Sequence, residues 1–261
     1  MDKIQLTNHI RDINLKNKMF KVIDRANAVL KGYAVKNTEF LNPFEVKNAV
    51  DILNAYTDIK YRVDGGYEGS ERSIITMYPY YYDEDDLAES LRFIQVEGNF
   101  KFKSVHHRDY LGSILGLGIK REKIGDIIIH ENFCQVVVDA DICDFLSMNL
   151  TRVARNNVRV KEIMRIQIEQ TPKEFKDKHT TVSSDRIDCV ISGIYDISRQ
   201  DSMKYIDSDR VHINFEPVNS KSKSVMPGDI ISVRGKGRAK IEAIGEPTKK
   251  GRLKLSAKIP E

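Results

Sequence analysis

Near the start of its last third the chain reads Arg-Ile-Asp-Cys-Val-Ile-Ser-Gly-Ile, over residues 186–194. Four apolar residues recur there at positions i, i+3, i+4 and i+7, and they are Ile187, Val190, Ile191 and Ile194. This spacing places them on one face of a helix. We therefore expect a helix that buries this face and leaves Arg186 and Asp188 on its polar side.

A second helix, a strand and a turn are expected after this one. Ser198 is the expected N-cap of the second helix, which directs Arg199 and Lys204 outward. Residues 211–215 alternate apolar and polar side chains, so they predict a strand with His212 and Asn214 facing away from the core. The sequence Pro-Gly-Asp at residues 227–229 predicts a turn that leads into a strand over residues 230–234.

The order of these elements resembles the alpha-L motif, the small RNA-binding domain first known from ribosomal small-subunit protein four. Its pattern is found here as Arg-Ile-Asp at 186–188, Ser-Arg at 198–199, Val-His-Ile-Asn at 211–214 and Pro-Gly-Asp-Ile at 227–230. One departure is the pair Gln200 and Asp201, where the family commonly has a basic or small residue. The resemblance implies that residues 181–261, including a basic C-terminal tail, form an RNA-binding domain.

Positive charge is concentrated in the same part of the chain. Residues 181–261 contain 15 Lys and Arg against 11 Asp and Glu, whereas residues 1–180 contain 27 of each, so the whole net charge of +4 lies in the last third. Between residues 234 and 258 nine basic residues accompany only Glu242 and Glu246. Such a patch attracts phosphate, and its affinity for RNA should fall steeply with salt.

Length and composition limit the remaining classes of protein. The 261 residues can form two or three domains. The chain has no run near the roughly 20 apolar residues of a membrane span, and no apolar N-terminal signal, so we expect a cytoplasmic protein. Its three cysteines, Cys134, Cys143 and Cys189, are far apart and include no Cys-x-x-Cys pair. We therefore expect neither a disulfide framework nor a metal site, and no cofactor.

The first 80 residues predict a small module with helices and strands. Apolar residues follow a helical spacing over residues 10–31, ending at Gly32 as a C-cap. Pro43 after Asn42 predicts the start of a second helix. Strands are expected over residues 59–63 and 73–77. The glycines between them, at 65, 66 and 69, lie between two strands rather than before a helix, so a hairpin loop is favoured over a phosphate site.

Residues 81–175 predict a second module of ferredoxin-like type. The expected elements are strands at 91–96, 126–130, 133–138 and 158–163, with helices at 109–117 and 140–153. This is the split β-α-β order of ferredoxin-like and RNA-recognition folds. The aromatic motifs of a true RNA-recognition domain are missing. The fold class is therefore α+β, with three modules at 1–80, 81–175 and 181–261.

Residues 107–127 contain the block His-Arg-Asp-x-Leu-Gly, followed by Leu-Gly-x-x-Arg-x-x-x-Gly-Asp. Together with the C-terminal domain, this block resembles the YlmH family of bacterial RNA-binding proteins, and the resemblance covers essentially the whole chain. It implies a ribosome- or tRNA-associated role, linked to large-subunit quality control of stalled nascent chains and to the division-gene neighbourhood. Lys120, Arg121 and Lys123 form a basic loop here that is a further candidate for phosphate contacts.

Several enzyme classes lack required parts. His-Arg-Asp at 107–109 is similar to a kinase catalytic loop, but position 114 is Ile where that loop requires Asn. Asp109 is instead expected to cap the following helix, and in the sequence no Cys or acidic residue stands at metal-ligand spacing from His106 and His107. Motifs of pseudouridine synthases, tyrosyl-tRNA synthetases and RNA methyltransferases are absent or misplaced. An RNA-modifying enzyme with an unrecognised central site stays open, as does a purely structural interaction protein.

The sequence thus predicts a non-catalytic protein that binds structured RNA, either rRNA or tRNA, in the context of the large ribosomal subunit. The helix-pair residues expected to contact RNA are Arg186, Ser198, Arg199, Lys204 and Asn214. Further backbone contacts are expected from Lys221, Lys223, Lys236, Arg238 and Lys240. Because A-form RNA is recognised mostly by shape and phosphate, little base specificity is expected.

Overall fold

The computed structural model describes residues 2–100, 105–170 and 175–260. The chain forms two compact units, which divide near residue 171. Each unit combines helices with antiparallel sheet, so the predicted α+β class is confirmed. Within the described residues, every helix is too short or too polar to cross a membrane. The further division of the first unit into modules 1–80 and 81–175 stays a prediction.

The first unit begins with a helical layer on a small sheet. The helices are α1 (Lys3–Leu6), α2 (Ile13–Gly32) and α3 (Pro43–Leu53), and the sheet has the order β1 (Lys36–Asn37), β3 (Ile74–Pro79), β2 (Ile59–Asp64). Reciprocal hydrogen bonds of 2.9 Å between Asn42 and Glu45 form a capping box that starts α3. The expected C-cap at Gly32 is wrong, since α2 includes that residue and Tyr33 adopts the left-handed conformation instead.

The rest of the first unit is a five-stranded sheet with two helices. It contains β4 (Leu91–Gly98), α4 (His107–Gly116), β5 (Ile124–Ile129), β6 (Phe133–Asp139), α5 (Cys143–Asn149), β7 (Arg152–Val153) and β8 (Asn156–Ile163). The antiparallel order β5-β6-β4-β8-β7 contains the predicted split β-α-β arrangement. The helix expected over 140–153 is too long, because Arg152 and Val153 pair with β8 in a hairpin.

Both faces of this sheet are covered. Tyr110 and Ile114 of α4 and Leu146 of α5 pack on one face. On the other face, Phe93 and Val137 pack against Phe40 and Ile74 from the N-terminal layer, which joins the two parts into one unit. The central strand residues therefore serve as core, and this part of the sheet does not offer an open platform for stacking bases.

The second unit is a six-stranded antiparallel sheet under two helices. Its elements are β9 (Phe175–Val182), α6 (Ile187–Ile194), α7 (Arg199–Asp207), β10 (Val211–Ile213), β11 (Glu216–Pro217), β12 (Ile230–Val233), β13 (Gly237–Pro247) and β14 (Leu253–Pro260), in the order β11-β10-β12-β13-β14-β9. The apolar face predicted for α6 is confirmed, since its four residues are at most 2% exposed.

Two expectations for the second unit are wrong. The basic tail is not a tail but the hairpin of β13 and β14, whose Ala239, Ile241 and Leu255 complete the core beneath the helices. The strand expected over 211–215 ends at Ile213, because residues 214 and 215 have φ angles of 51° and 68° and form a two-residue hairpin turn.

Candidate nucleic-acid interface

A buried carboxylate joins the two helices of the second unit. Asp188 is fully buried, although the sequence pattern placed it on the polar side of α6. Its carboxylate accepts hydrogen bonds from Arg186 Nε at 3.1 Å and from Arg199 Nε at 2.8 Å. Burial of a charge is tolerated only when it is paired, and these two guanidinium groups provide the pairing. We call the three residues the arginine clamp.

The electrostatics of the arginine clamp favour a fixed, outward positive charge. Burial by itself raises the pKa of Asp188, but hydrogen bonds from Arg186 and Arg199 outweigh it, so the pKa lies below its ordinary value. The ionised carboxylate neutralises only one of the two guanidinium groups. Both arginine side chains are partly exposed, at 41% and 53%. Guanidinium groups held in this way can present their remaining N–H donors to phosphate oxygens.

Ser198 and Lys204 have different positions on α7. The Ser198 hydroxyl accepts the backbone N–H of Asp201 at 3.0 Å and donates to its carboxylate at 2.7 Å, so it caps the helix as predicted. Lys204 is exposed and makes a surface ion pair with Asp201 at 3.0 Å. Surface pairs of this kind contribute little free energy, and Lys204 can exchange this carboxylate for a phosphate.

Asn214 stabilises the turn that contains Pro-Gly-Asp. Its side-chain amide donates to Asp229 Oδ1 at 2.8 Å, and its carbonyl oxygen accepts the N–H of Ile230 at 2.9 Å. Asp229 also accepts the N–H of Met226 at 2.8 Å. Both polar groups of the Asn214 side chain are therefore engaged within the protein.

The loop before this turn carries two lysines that both have acidic partners. Lys221 pairs with Asp207 at 2.7 Å, and Lys223 pairs with Glu216 at 2.9 Å. On the neighbouring strand, Lys240 lies 3.6 Å from Glu242. These lysines thus contribute less net positive charge than their number in the sequence indicates.

The connection between β12 and β13 contains Arg234 and Lys236, and Arg238 follows at the start of β13; we call these three residues the basic turn. All three residues are exposed. Arg234 and Lys236 form no ion pair within the part of the chain that is described. Arg238 lies over the ring of Phe215, with 5.1 Å to the centroid. Arg210 stabilises the turn, since its guanidinium group donates a hydrogen bond to the Arg234 carbonyl at 2.7 Å.

In the first unit, the basic loop at 120–123 is only partly available to a ligand. Lys120 is exposed. Arg121 points inward and donates to the carbonyls of Ile124 and Gly125, and burial, reinforced by the Arg72 charge, lowers its pKa to about 10. Lys123 pairs with Asp139 at 2.7 Å.

Sequence reasoning missed a further basic element, the hairpin of β7 and β8. It presents the exposed residues Arg152, Arg155 and Arg159, which we call the arginine hairpin. The sequence contains a sign of this element, because no acidic residue occurs between Asp144 and Glu162. It was missed because a helix was expected over residues 140–153. The N–H of Ala154 donates to Ser113 Oγ of α4 at 3.3 Å, which anchors the hairpin turn.

The glycine-containing loop between β2 and β3 holds a carboxylate rather than space for a phosphate. Asp126 accepts hydrogen bonds from the hydroxyl of Tyr67 at 2.8 Å and from the N–H groups of Glu71 and Arg72 at 2.6 and 3.1 Å. This loop connects two antiparallel strands, as the sequence predicted. Two N–H groups of the loop are therefore already bound to the carboxylate of Asp126.

Two groups with possible chemistry in the first unit have structural partners. Asp109 accepts the N–H of His106 at 2.9 Å from the first turn of α4, so it supports the helix start one turn inside the position that was expected. Within the described residues, Cys143, Asp144 and Glu162 are close enough to share a metal ion. However, Glu162 pairs with Arg92, and burial raises the pKa of the Cys143 thiol, which disfavours the thiolate that metals bind.

Comparisons with known proteins cover most of the chain. Residues 14–82 match the family model described as YlmH, N-terminal, and residues 84–167 match the one described as a putative RNA-binding domain in YlmH. The arginine hairpin lies inside the second match. The chain is 32% identical over 228 residues to the "Ribosome-associated protein quality control protein P2" of Bacillus subtilis, covering 87% of this chain and 88% of that protein.

A solved structure has the same fold over part of the chain. It is titled "Cell division protein ylmH from Streptococcus pneumoniae" and is 22% identical, with a TM-score of 0.51. The match covers 60% of this chain and 96% of the solved one. At this identity the similarity concerns the fold alone.

Proposed function

The chain belongs to the YlmH family, and on that basis we propose that it binds structured RNA on the ribosome without catalysing a reaction. The observation that carries the proposal is the arginine clamp. A buried Asp188 orients two guanidinium groups whose combined charge it only half neutralises. Such an arrangement is suited to phosphate oxygens, and it costs little entropy on binding because the side chains are already held.

We propose RNA contacts on each unit separately. On the second unit they are made by the arginine clamp and the basic turn, with Lys204 as a peripheral contact. On the first unit they are made by the arginine hairpin, which lies within the residues that match the family RNA-binding model. Ser198 and Asn214 support the contacts of the second unit by capping α7 and holding the turn, and Arg121 contributes to the interior of the first unit rather than to its surface.

Recognition by these groups should depend on phosphate position rather than on base identity. Guanidinium and ammonium groups provide donors only, and A-form RNA displays its phosphates and 2′-hydroxyls on the accessible surface. We therefore propose rRNA or tRNA, whose folded helices present phosphates at fixed spacing, as the ligand. The name of the Bacillus relative supports the ribosome as the site of action, and we propose the large subunit and stalled nascent chains as its context. This would place the protein in the cytoplasm.

Cosedimentation with purified ribosomal subunits tests this function. The wild-type chain should sediment with the large subunit. The variant Arg152→Ala/Arg155→Ala/Arg234→Ala/Lys236→Ala should remain at the top of the gradient. The control is Lys47→Ala/Lys60→Ala, which removes two exposed positive charges from the N-terminal layer and should sediment like wild type. Equal loss in both variants, or no association of the wild type, would contradict the proposal.

A further inference from the structure

Four tyrosines form an exposed cluster in the N-terminal layer of the first unit, where α2 and β3 end. Tyr81 is central, with ring centroids 6.5 Å from Tyr33, 5.4 Å from Tyr80 and 5.5 Å from Tyr82. The Tyr82 hydroxyl donates to the Tyr33 carbonyl at 3.3 Å and connects the two segments. Tyr33, Tyr80 and Tyr81 are 63%, 56% and 55% exposed. We call these residues the tyrosine cluster.

This cluster has a cost that folding does not explain. Because these aromatic rings are exposed, they lack the favourable free energy that burial of large apolar side chains provides. Tyr33 also occupies the left-handed position after α2, with φ of 50°, where glycine is the usual residue. A non-glycine residue in that conformation is strained by about 1 kcal/mol. Clustered, exposed tyrosines are typical of the anchoring residues of binding interfaces.

The segment that carries three of the four tyrosines is rich in acidic residues. Residues 78–90 include five acidic residues and no Lys or Arg, and the acidic ones are Asp83, Glu84, Asp85, Asp86 and Glu89. Glu84 lies near Arg62, and Glu89 pairs with Arg165. Asp83, Asp85 and Asp86 are exposed and form no ion pair within the described residues. We call residues 83–86 the acidic turn. Its carboxylates would repel the phosphates of an RNA, so the tyrosine cluster is not expected to bind RNA.

We propose that the tyrosine cluster and the acidic turn form a docking site for a Lys- and Arg-rich polypeptide segment of a protein partner. The faces of tyrosine rings attract cations, and guanidinium groups stack on them well. The adjacent carboxylates supply complementary charge, which selects a basic partner and speeds its association. The exposed carboxylates next to the rings therefore favour a basic protein segment over a nucleic acid.

Binding of a fluorescein-labelled peptide of alternating Arg and Ser to the full-length protein tests the charge and the rings separately. Tyr80→Ala/Tyr81→Ala should weaken binding about five- to thirtyfold, since two cation–π contacts are lost. Asp85→Asn/Asp86→Asn should also weaken binding and reduce its salt dependence. Tyr81→Phe keeps the ring and should bind like wild type. All the changed residues are exposed, and unchanged thermal melts would verify the fold.

The matched control is Asp51→Asn/Glu131→Gln, which removes two exposed acidic charges elsewhere on the same unit. If the peptide is attracted only by the overall negative charge of the protein, this control should bind as weakly as Asp85→Asn/Asp86→Asn. That result would overturn the proposal. So would unchanged binding in the double tyrosine variant. Replacing Tyr81 by the photoreactive residue p-benzoylphenylalanine then identifies the occupant in cells. Crosslinks to a mapped Lys- and Arg-rich segment support the proposal, whereas crosslinks to RNA, to a second copy or to nothing above a Phe145 control would overturn it.

Discussion

Replacing Arg186 and Arg199 together by alanine should destabilise the second unit strongly at neutral pH, even though both side chains lie partly at the surface. The buried carboxylate of Asp188 would lose its three hydrogen bonds, two from Arg186 and one from Arg199. Removing one side of a buried ion pair typically costs about 3–5 kcal/mol. Because the truncated side chains also let water approach the carboxylate, we expect the lower end, about 3 kcal/mol.

The loss should depend on pH in a defined direction. In the wild type the folded pKa of Asp188 lies below the unfolded value, so its ionised form adds stability above that value and the contribution is lost as pH falls. In the variant only burial acts on the carboxyl, which raises its folded pKa. The variant therefore loses stability as pH rises above about 4. The difference from wild type should be large at pH about 7 and small at pH about 3.5.

Urea titrations at these two pH values, followed by far-UV circular dichroism, measure the difference. The informative control is the triple variant Arg186→Ala/Asp188→Asn/Arg199→Ala, which carries no buried charge and should recover most of the stability at neutral pH. A cost that is the same at both pH values, or no recovery in the triple variant, would refute the account of the arginine clamp. Binding of RNA is best measured with the triple variant, since a loss there is not caused by unfolding.

Three further predictions concern the second unit. Ile191→Asp should abolish its cooperative unfolding transition, because the side chain is fully buried, whereas Ile191→Val should cost only about 1 kcal/mol in the same urea titration. Asn214→Ala should cost about 1–3 kcal/mol through the lost hydrogen bonds, and Asn214→Gly should cost less of this because glycine adopts the positive φ freely. A fragment of residues 172–261 should fold and bind RNA alone in a filter-binding assay, but one starting at residue 183 should melt at a lower temperature, since it lacks β9. A native melting profile for Ile191→Asp, or equal melting temperatures for the two fragments, would contradict these expectations.

Local patterns in the sequence predicted local structure well. The apolar spacing of α6 and the helix start at Asn42 and Pro43 each depend on residues within one or two helical turns, and both are found. The split β-α-β order was also readable, because each strand and helix has its own pattern. The YlmH resemblance, carried by the block at 107–127 and the alpha-L pattern, agrees with the family matches.

Features that depend on distant partners were not predictable in the same way. Asp188 looks like a polar-face residue until Arg199, on the next helix, is placed beside it. Strand β9 is recognisable only through its pairing with β14, more than 70 residues later. The arginine hairpin was hidden because residues 150–153 continue a helical pattern, and only the pairing of Val153 with Asn156 ends it.

The proposed RNA contacts lie on basic groups of both units, and the sequence indicated only those of the second unit and the loop at 120–123. Residues 172–261 hold 18 Lys and Arg against 13 Asp and Glu, while residues 1–171 hold 24 against 25. Net charge alone would therefore assign RNA binding to the second unit. The arginine hairpin is locally positive although the charge of the first unit is balanced, because residues 145–161 contain no acidic residue.

The most direct test is the salt dependence of affinity for a structured RNA, measured by filter binding with the full-length protein. The variant Arg152→Ala/Arg155→Ala/Arg234→Ala/Lys236→Ala should show a shallower dependence of log affinity on log salt than the wild type. The magnitude of the slope should fall by about 0.7–0.9 for each lost phosphate contact, or about 3 in total. The control Lys47→Ala/Lys60→Ala should keep the wild-type slope. An unchanged slope in the fourfold variant would contradict the claim that the arginine hairpin and the basic turn bind RNA.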